Sequence, residues 1–193
     1  NSLAVNGLLL AGRTNANQST AGAFWNNAVE YATPSLNGSQ AKVQYLVGGA
    51  AGANDLNSAQ NILLTYSGPV SLSAGYETSK DAVSTGNDAK KSLLGAKYSI
   101  GALDLAAQYN GFKNAGSAKV NGYEVGAAYH ISPKLLVGVN YEKFKATNLS
   151  DKNVASFKAK YDFSKRTYVY GLVSSMNASA AAAIYQGYAT TLG

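Results

Sequence analysis

The chain has 193 residues with a formal net charge of +6; only 13% of residues are charged and 46% are hydrophobic. No apolar run approaches the ~20 residues a membrane helix needs, so any membrane crossing falls to strands, and the absence of Cys excludes a disulfide scaffold and a thiolate metal centre. The basic residues are scattered, with only Lys90-Lys91 and Lys165-Arg166 adjacent, which argues against a nucleic-acid partner.

From the N-terminus, residues 1–24 do not read as a strand, and Arg13 is the only charge among the first 29 residues. Beyond Trp25 the sequence becomes a series of alternating apolar and polar runs, the signature of half-buried strands. Strands are expected at about 27–33, 41–49, 60–67, 70–77, 91–98, 103–112, 121–131, 135–144, 153–163 and 167–176, with 184–192 as a possible closing strand. Runs of this length exceed the ~5–6 residues of a typical soluble strand and approach the ~9–11 of a tilted membrane-spanning one. Short connections rich in turn residues alternate with long polar ones (49–59, 78–90, 113–120 and 145–152), as in outer-membrane barrels. Tyr66, Tyr98, Tyr129 and Tyr161 recur at intervals of 32, 31 and 32 residues, each before a short turn. That period is one hairpin step.

The two faces of these runs differ in kind. One carries Val43, Tyr45, Ile62, Leu64, Leu72, Tyr76, Leu94, Tyr98, Leu105, Tyr109, Val125, Val139, Tyr141, Phe157 and Tyr161. It holds no charge, and its aliphatics sit mid-strand with tyrosines near the ends, the order that a hydrocarbon layer between two interfaces selects. The other face is polar and small, with charges of both signs. Between 167 and 176 the faces are undecided, because Tyr168 and Tyr170 compete with Val169 and Val173. The fold class expected is all-β, a transmembrane antiparallel up-and-down barrel, with residues 1–24 as a separate segment and 25–193 as strands, turns and loops.

Two stretches resemble a known family. Asn26-Asn27-Ala28-Val29-Glu30-Tyr31-Ala32-Thr33-Pro34 is similar to the "N-x-x-x-Y-x-S/T-P" strand of Gram-negative trimeric porins of the betaproteobacterial type. Tyr161-Asp162-Phe163-Ser164-Lys165-Arg166-Thr167-Tyr168-Val169-Tyr170 resembles their "Y-x-L-S-K-R-T-x-x-Y" turn. The resemblance implies a 16-stranded barrel, a homotrimer, and a third long loop folded into the pore. By position, residues 1–24 correspond to that constriction loop, so five strands would precede this chain and one would follow it. The family's terminal aromatic is missing.

The pore-lining candidates are therefore Arg13, at the constriction, and Glu30, Lys42, Lys97, Asp104, Glu124, Lys158, Lys160 and Asp162 on the polar face. Their combined field would bias the passage of ions and small hydrophilic solutes, with a weak preference for anions. Lipid and lipopolysaccharide of the outer membrane are the expected surroundings. No cofactor, metal or catalytic step is expected: His130 has no second His or Cys near it in sequence, and no Gly-x-Ser-x-Gly elbow occurs. Gly86 to Ser92 departs from the phosphate-loop pattern at Lys91. Asp81, Asp88 and Asp151 match no calcium-loop spacing. Rival readings are a barrel enzyme and a soluble all-β adhesin or binding protein.

Overall fold

The structure, a computed structural model, describes residues 27–48, 52, 56–80, 88–113, 119–147, 151–176 and 183–190. These form one sheet of eleven strands: β1 (Ala28–Ala32), β2 (Ser39–Leu46), β3 (Ala59–Ser67), β4 (Val70–Ser79), β5 (Ala89–Ile100), β6 (Leu103–Lys113), β7 (Lys119–Ser132), β8 (Leu135–Ala146), β9 (Lys152–Asp162), β10 (Thr167–Met176) and β11 (Ala183–Thr190). The spatial order is the chain order, and every neighbouring pair is antiparallel. All ten expected strands form, and the segment expected at 184–192 supplies β11. Strands β4 to β10 run for 10 to 14 residues. At a rise of ~3.3 Å per residue and a tilt of ~45° they are long enough for an apolar band ~25 Å tall. No helix among the described residues is long and apolar enough to cross a membrane.

The short connections are built by local chemistry. Asn37 and Gly38 both have positive φ (50° and 81°), and Leu36 and Ser39 exchange backbone hydrogen bonds of 2.9 and 2.8 Å. This is the Asn-Gly two-residue hairpin turn whose twist matches the flanking strands. Gly38 is required twice over, since a Cβ there would also lie 2.2 Å from the Ser67 carbonyl oxygen. Between β7 and β8, Ser132 Oγ accepts from the backbone N–H groups of Lys134 and Leu135 at 3.3 and 3.1 Å, beside a register shift between His130 and Ser132. Between β9 and β10, Ser164 Oγ accepts from the Arg166 N–H at 3.1 Å.

Burial inverts the usual order. Twenty-four large hydrophobic side chains are exposed among the described residues, and only five hydrophobic residues are buried: Ala59, Leu93, Ala128, Val154 and Leu172. The sheltered face instead holds Asn61, Ser73, Glu77, Gln108, Asn110, Glu124, Asn140, Glu142, Ser156 and Ser174. A soluble protein with so much contiguous apolar surface would associate or aggregate, whereas lipid is a solvent for it.

The register adds a geometric fact. Residues directly opposite in an antiparallel pair share a face. On the apolar face one such row runs Leu64, Ala74, Leu94, Tyr109, Tyr123, Lys143, and another runs Val70, Tyr98, Leu105, Ala127, Val139, Phe157, Val173. The first leaves the aliphatic band through tyrosines toward the long-loop side; the second enters the band from the short-turn side. Rows perpendicular to the strands thus climb relative to the apolar band, as they must where strands are tilted to the membrane normal.

Candidate functional site

The polar face of the sheet is the candidate site, because it is sheltered, continuous across the strands, and carries most of the strand charges among the described residues, including every strand Asp and Glu. Glu30, Lys42, Lys97, Asp104, Glu124, Lys158, Lys160 and Asp162 all fall on it by register. Arg13 and the segment 1–24 lie outside the described residues.

Across β1 to β5 one row holds Glu30, Gln44, Asn61, Glu77 and Lys91. Gln44 Nε2 donates to Glu30, and Asn61 Nδ2 donates to Gln44 Oε1 at 2.7 Å. Lys42 Nζ stands 3.8 Å from Glu30, with both side chains well exposed. At the other end of the row, Lys91 Nζ lies 3.3 Å from Glu77 Oε1, and the Glu77 side chain is 1% exposed. Neither Glu77 nor Lys91 was among the sequence candidates, because each is the terminal residue of an expected strand, where a polar side chain resembles loop. The strands continue to Ser79 and from Ala89, and the parity of Gly75 and of Lys97 puts both residues on the polar face.

Toward the short-turn side, Asp104 gathers three partners. Ser99 Oγ donates to its Oδ1 at 2.5 Å, and Lys97 Nζ and His130 Nε2 each lie 3.4 Å from its Oδ2. His130, isolated in sequence, is therefore paired in space with a carboxylate from the adjacent strand. Among the described residues no group of three His, Cys, Asp or Glu side chains is placed to hold a metal ion.

In the middle of the sheet Glu124 stands directly opposite Glu142, an apposition of like charge. Asn140 Nδ2 bridges them, donating to Glu124 Oε1 and Glu142 Oε1 at 3.0 Å each. Glu142 is a third residue that the sequence reading passed over, although it shares parity with Asn140.

At the far side the wall turns basic and aromatic. The register pairs Tyr170 with Lys160 and Tyr168 with Asp162, which places both tyrosines on the polar face and settles the undecided strand. Lys160 Nζ lies 4.7 Å from the Tyr168 ring centroid and 2.9 Å from Asp162 Oδ1; Lys158 Nζ lies 5.2 Å from the Tyr170 centroid and has no carboxylate within 4.0 Å among the described residues. Cation–π contact of this kind holds an ammonium without neutralising it.

A one-layer sheet with an apolar face whose only charges on the strands lie at its long-loop end, among the described residues, and with a sheltered charged face is the wall of a membrane β-barrel. Comparison with known proteins narrows the class. A family model described as Gram-negative porin matches residues 1–181, and the chain belongs to that family, whose members reside in the outer membrane. Among solved structures, the anion-selective porin from Comamonas acidovorans is similar at 25% identity and a TM-score of 0.69, covering 86% of this chain and 55% of that one. A porin refined at 1.8 Å resolution aligns at 14% identity and a TM-score of 0.67, over 79% of this chain and 57% of that one. Salmonella typhi OmpF, in complex with daunomycin, aligns at 19% identity and a TM-score of 0.61, over 77% and 53%. The last two likenesses concern the fold alone. The chain spans a little over half the length of these porin structures. No curated protein sequence matches it.

Proposed function

We propose that these eleven strands form part of a 16-stranded trimeric barrel that lets ions and small hydrophilic solutes diffuse passively across the outer membrane. The observation that carries the reading is the alternation itself: Leu94 is 57% exposed on the apolar face, while Glu77, Glu124 and Glu142 sit on the sheltered one. A polar lumen spares a solute the desolvation cost of crossing hydrocarbon, and the reading needs no cofactor, energy coupling or covalent step. Lipid and lipopolysaccharide surround the apolar face. Residues 1–24 are assigned to the segment that narrows the pore, with Arg13 as its charge, on the strength of the porin-like strand that follows them.

A weak anion preference is part of the proposal. It is supported by the unneutralised Lys158 beside Lys160 on β9 and by the likeness to a porin named as anion-selective. The test is conductance of the full-length protein in a planar bilayer under a salt gradient. A stable ohmic conductance with a reversal potential of anion-selective sign is expected, and Arg13→Glu should move that potential toward cations. A protein that inserts without conducting would overturn the channel reading. Hydrolytic turnover of ester or peptide substrates would favour a barrel enzyme instead.

A further inference from the structure

Near the middle of the polar face two buried carboxylates oppose each other with only an amide between them. Glu124 on β7 stands directly opposite Glu142 on β8. Like charges so placed destabilise a strand pair, and an ionised carboxylate out of water needs a partner. Asn140 Nδ2 is shared between their Oε1 atoms, at 3.0 Å each. That leaves Glu124 under-satisfied. The residue is 5% exposed, its Oε2 accepts no hydrogen bond, and no Lys, Arg or His lies within 4.0 Å of it among the described residues.

The neighbouring amides carry the same signal independently. Gln108 on β6 is directly opposite Glu124 and on the same face. It is 6% exposed, and neither atom of its amide has a hydrogen-bond partner. Asn140 is also buried and leaves its Oδ1 unpartnered. Buried polar atoms left unmade are costly and rare. Three neighbouring residues with such atoms, two of them amides, mark a place where something polar belongs. The wall itself supplies nothing to fill it: the residues flanking Glu124 along the same face of β7 are Gly122 and Gly126, and the one opposite Gln108 on β5 is Gly95.

The donor set identifies the missing group. Glu124 and Glu142 offer carboxylate oxygens, and Gln108 and Asn140 offer amide oxygens, the hard ligands that calcium takes. One divalent cation neutralises both carboxylates at once, which a single proton or ammonium does not. Calcium accepts 6–8 oxygens in irregular geometry and retains waters, whereas magnesium demands a near-ideal octahedron; side chains standing on three adjacent strands suit the former, and the glycines leave room for the waters. Turning the Asn140 amide end for end puts Oδ1 where Nδ2 now stands, at little steric cost. Two carboxylates and two amides differ from a centre of three or more His, Cys, Asp or Glu side chains, which the described residues lack.

We infer that Gln108, Glu124, Asn140 and Glu142 form a calcium site on the polar wall. Its consequence rests on the channel reading: a bound ion cancels two fixed negative charges of the lumen, so calcium strengthens the anion preference and its removal weakens it.

The experiment uses the full-length protein refolded in detergent free of lipopolysaccharide, stripped with EDTA and titrated with CaCl2 by calorimetry. Binding with a Kd of about 0.1–1 mM is expected. Glu124→Gln keeps the shape, removes one charge and should weaken that binding about tenfold or more; Gln108→Leu should weaken it by a smaller factor. Thermal unfolding separates a ligand from a structural role. In EDTA the Glu124→Gln protein should melt no lower than the unmodified one, since the repulsion is gone, and added CaCl2 should raise the melting temperature of the unmodified protein alone. Calcium binding that Glu124→Gln and Glu142→Gln leave unchanged would overturn the site. So would a Glu124→Gln protein that melts lower in EDTA while calcium leaves the unmodified protein unmoved. Conductance is read on the same samples. A protein that conducts but binds no calcium defeats the site and spares the channel, whereas one that binds calcium at these residues without conducting defeats the channel and spares the site.

Discussion

Leu93 and Leu94 are adjacent, identical and oppositely placed: the first is 2% exposed and the second 57%. Leu93 lies among the charges and amides of the sheltered face, while Leu94 stands in an apolar row with Leu64 and Ala74. The contrast shows that hydrophobicity here does not decide what is buried. It decides which solvent a face meets, and the polar face, not the apolar one, is where side chains interlock. Stability should therefore respond to polar substitutions on the sheltered face as a soluble protein responds to core mutations, and to charge on the other face according to depth.

The sharpest break of that comparison is Lys91→Met, which strands the buried Glu77 carboxylate. Losing one partner of a buried pair costs about 3–5 kcal/mol, and the double variant Lys91→Met with Glu77→Leu should recover most of it. Refolding of the full-length barrel into lipid vesicles from urea measures both, and a double variant no more stable than the single one would contradict the pair's role. Next comes Leu94→Arg, near the middle of the apolar band, expected to cost about 2–4 kcal/mol. Ala106→Arg, on the polar face of the next strand, should cost under ~1 kcal/mol by the same assay if its charge meets water. Tyr123→Ala removes one ring of the pair with Tyr109, whose centroids are 5.2 Å apart, and should cost about 0.5–1.5 kcal/mol beyond lost area. The smallest stability effect is expected for Lys158→Gln. Its signature is electrical: reversal potentials should shift toward cations, and an unchanged potential would remove β9 from the selectivity mechanism.

The strands and their faces were legible from alternation because lipid on one side and polar surroundings on the other enforce period 2 over 10 to 14 residues. Positions such as Val125 and Glu124 needed no knowledge of neighbours. What was illegible required register. The faces of Tyr168 and Tyr170 could not be read from β10, where tyrosine and valine occupy alternate positions and both suit either side; pairing with Lys160 and Asp162 decides it. The Asp104 cluster draws on β5, β6 and β7, and Glu124 meets Glu142 only because the β7–β8 connection sets that offset. Glu77 and Lys91 were lost for a simpler reason, since polar residues at strand ends resemble loop and period 2 fades where lipid stops.

The neighbour-only strand order has a further consequence. Each hairpin touches the one before and the one after, so the wall behaves energetically as a linear array rather than a single cooperative core. Contacts stay short in sequence, and closing each ~32-residue step costs little chain entropy. Such a wall can grow by zippering one hairpin at a time onto a finished edge, and by the same logic a gene can lengthen or shorten it by whole hairpins without redesigning the rest.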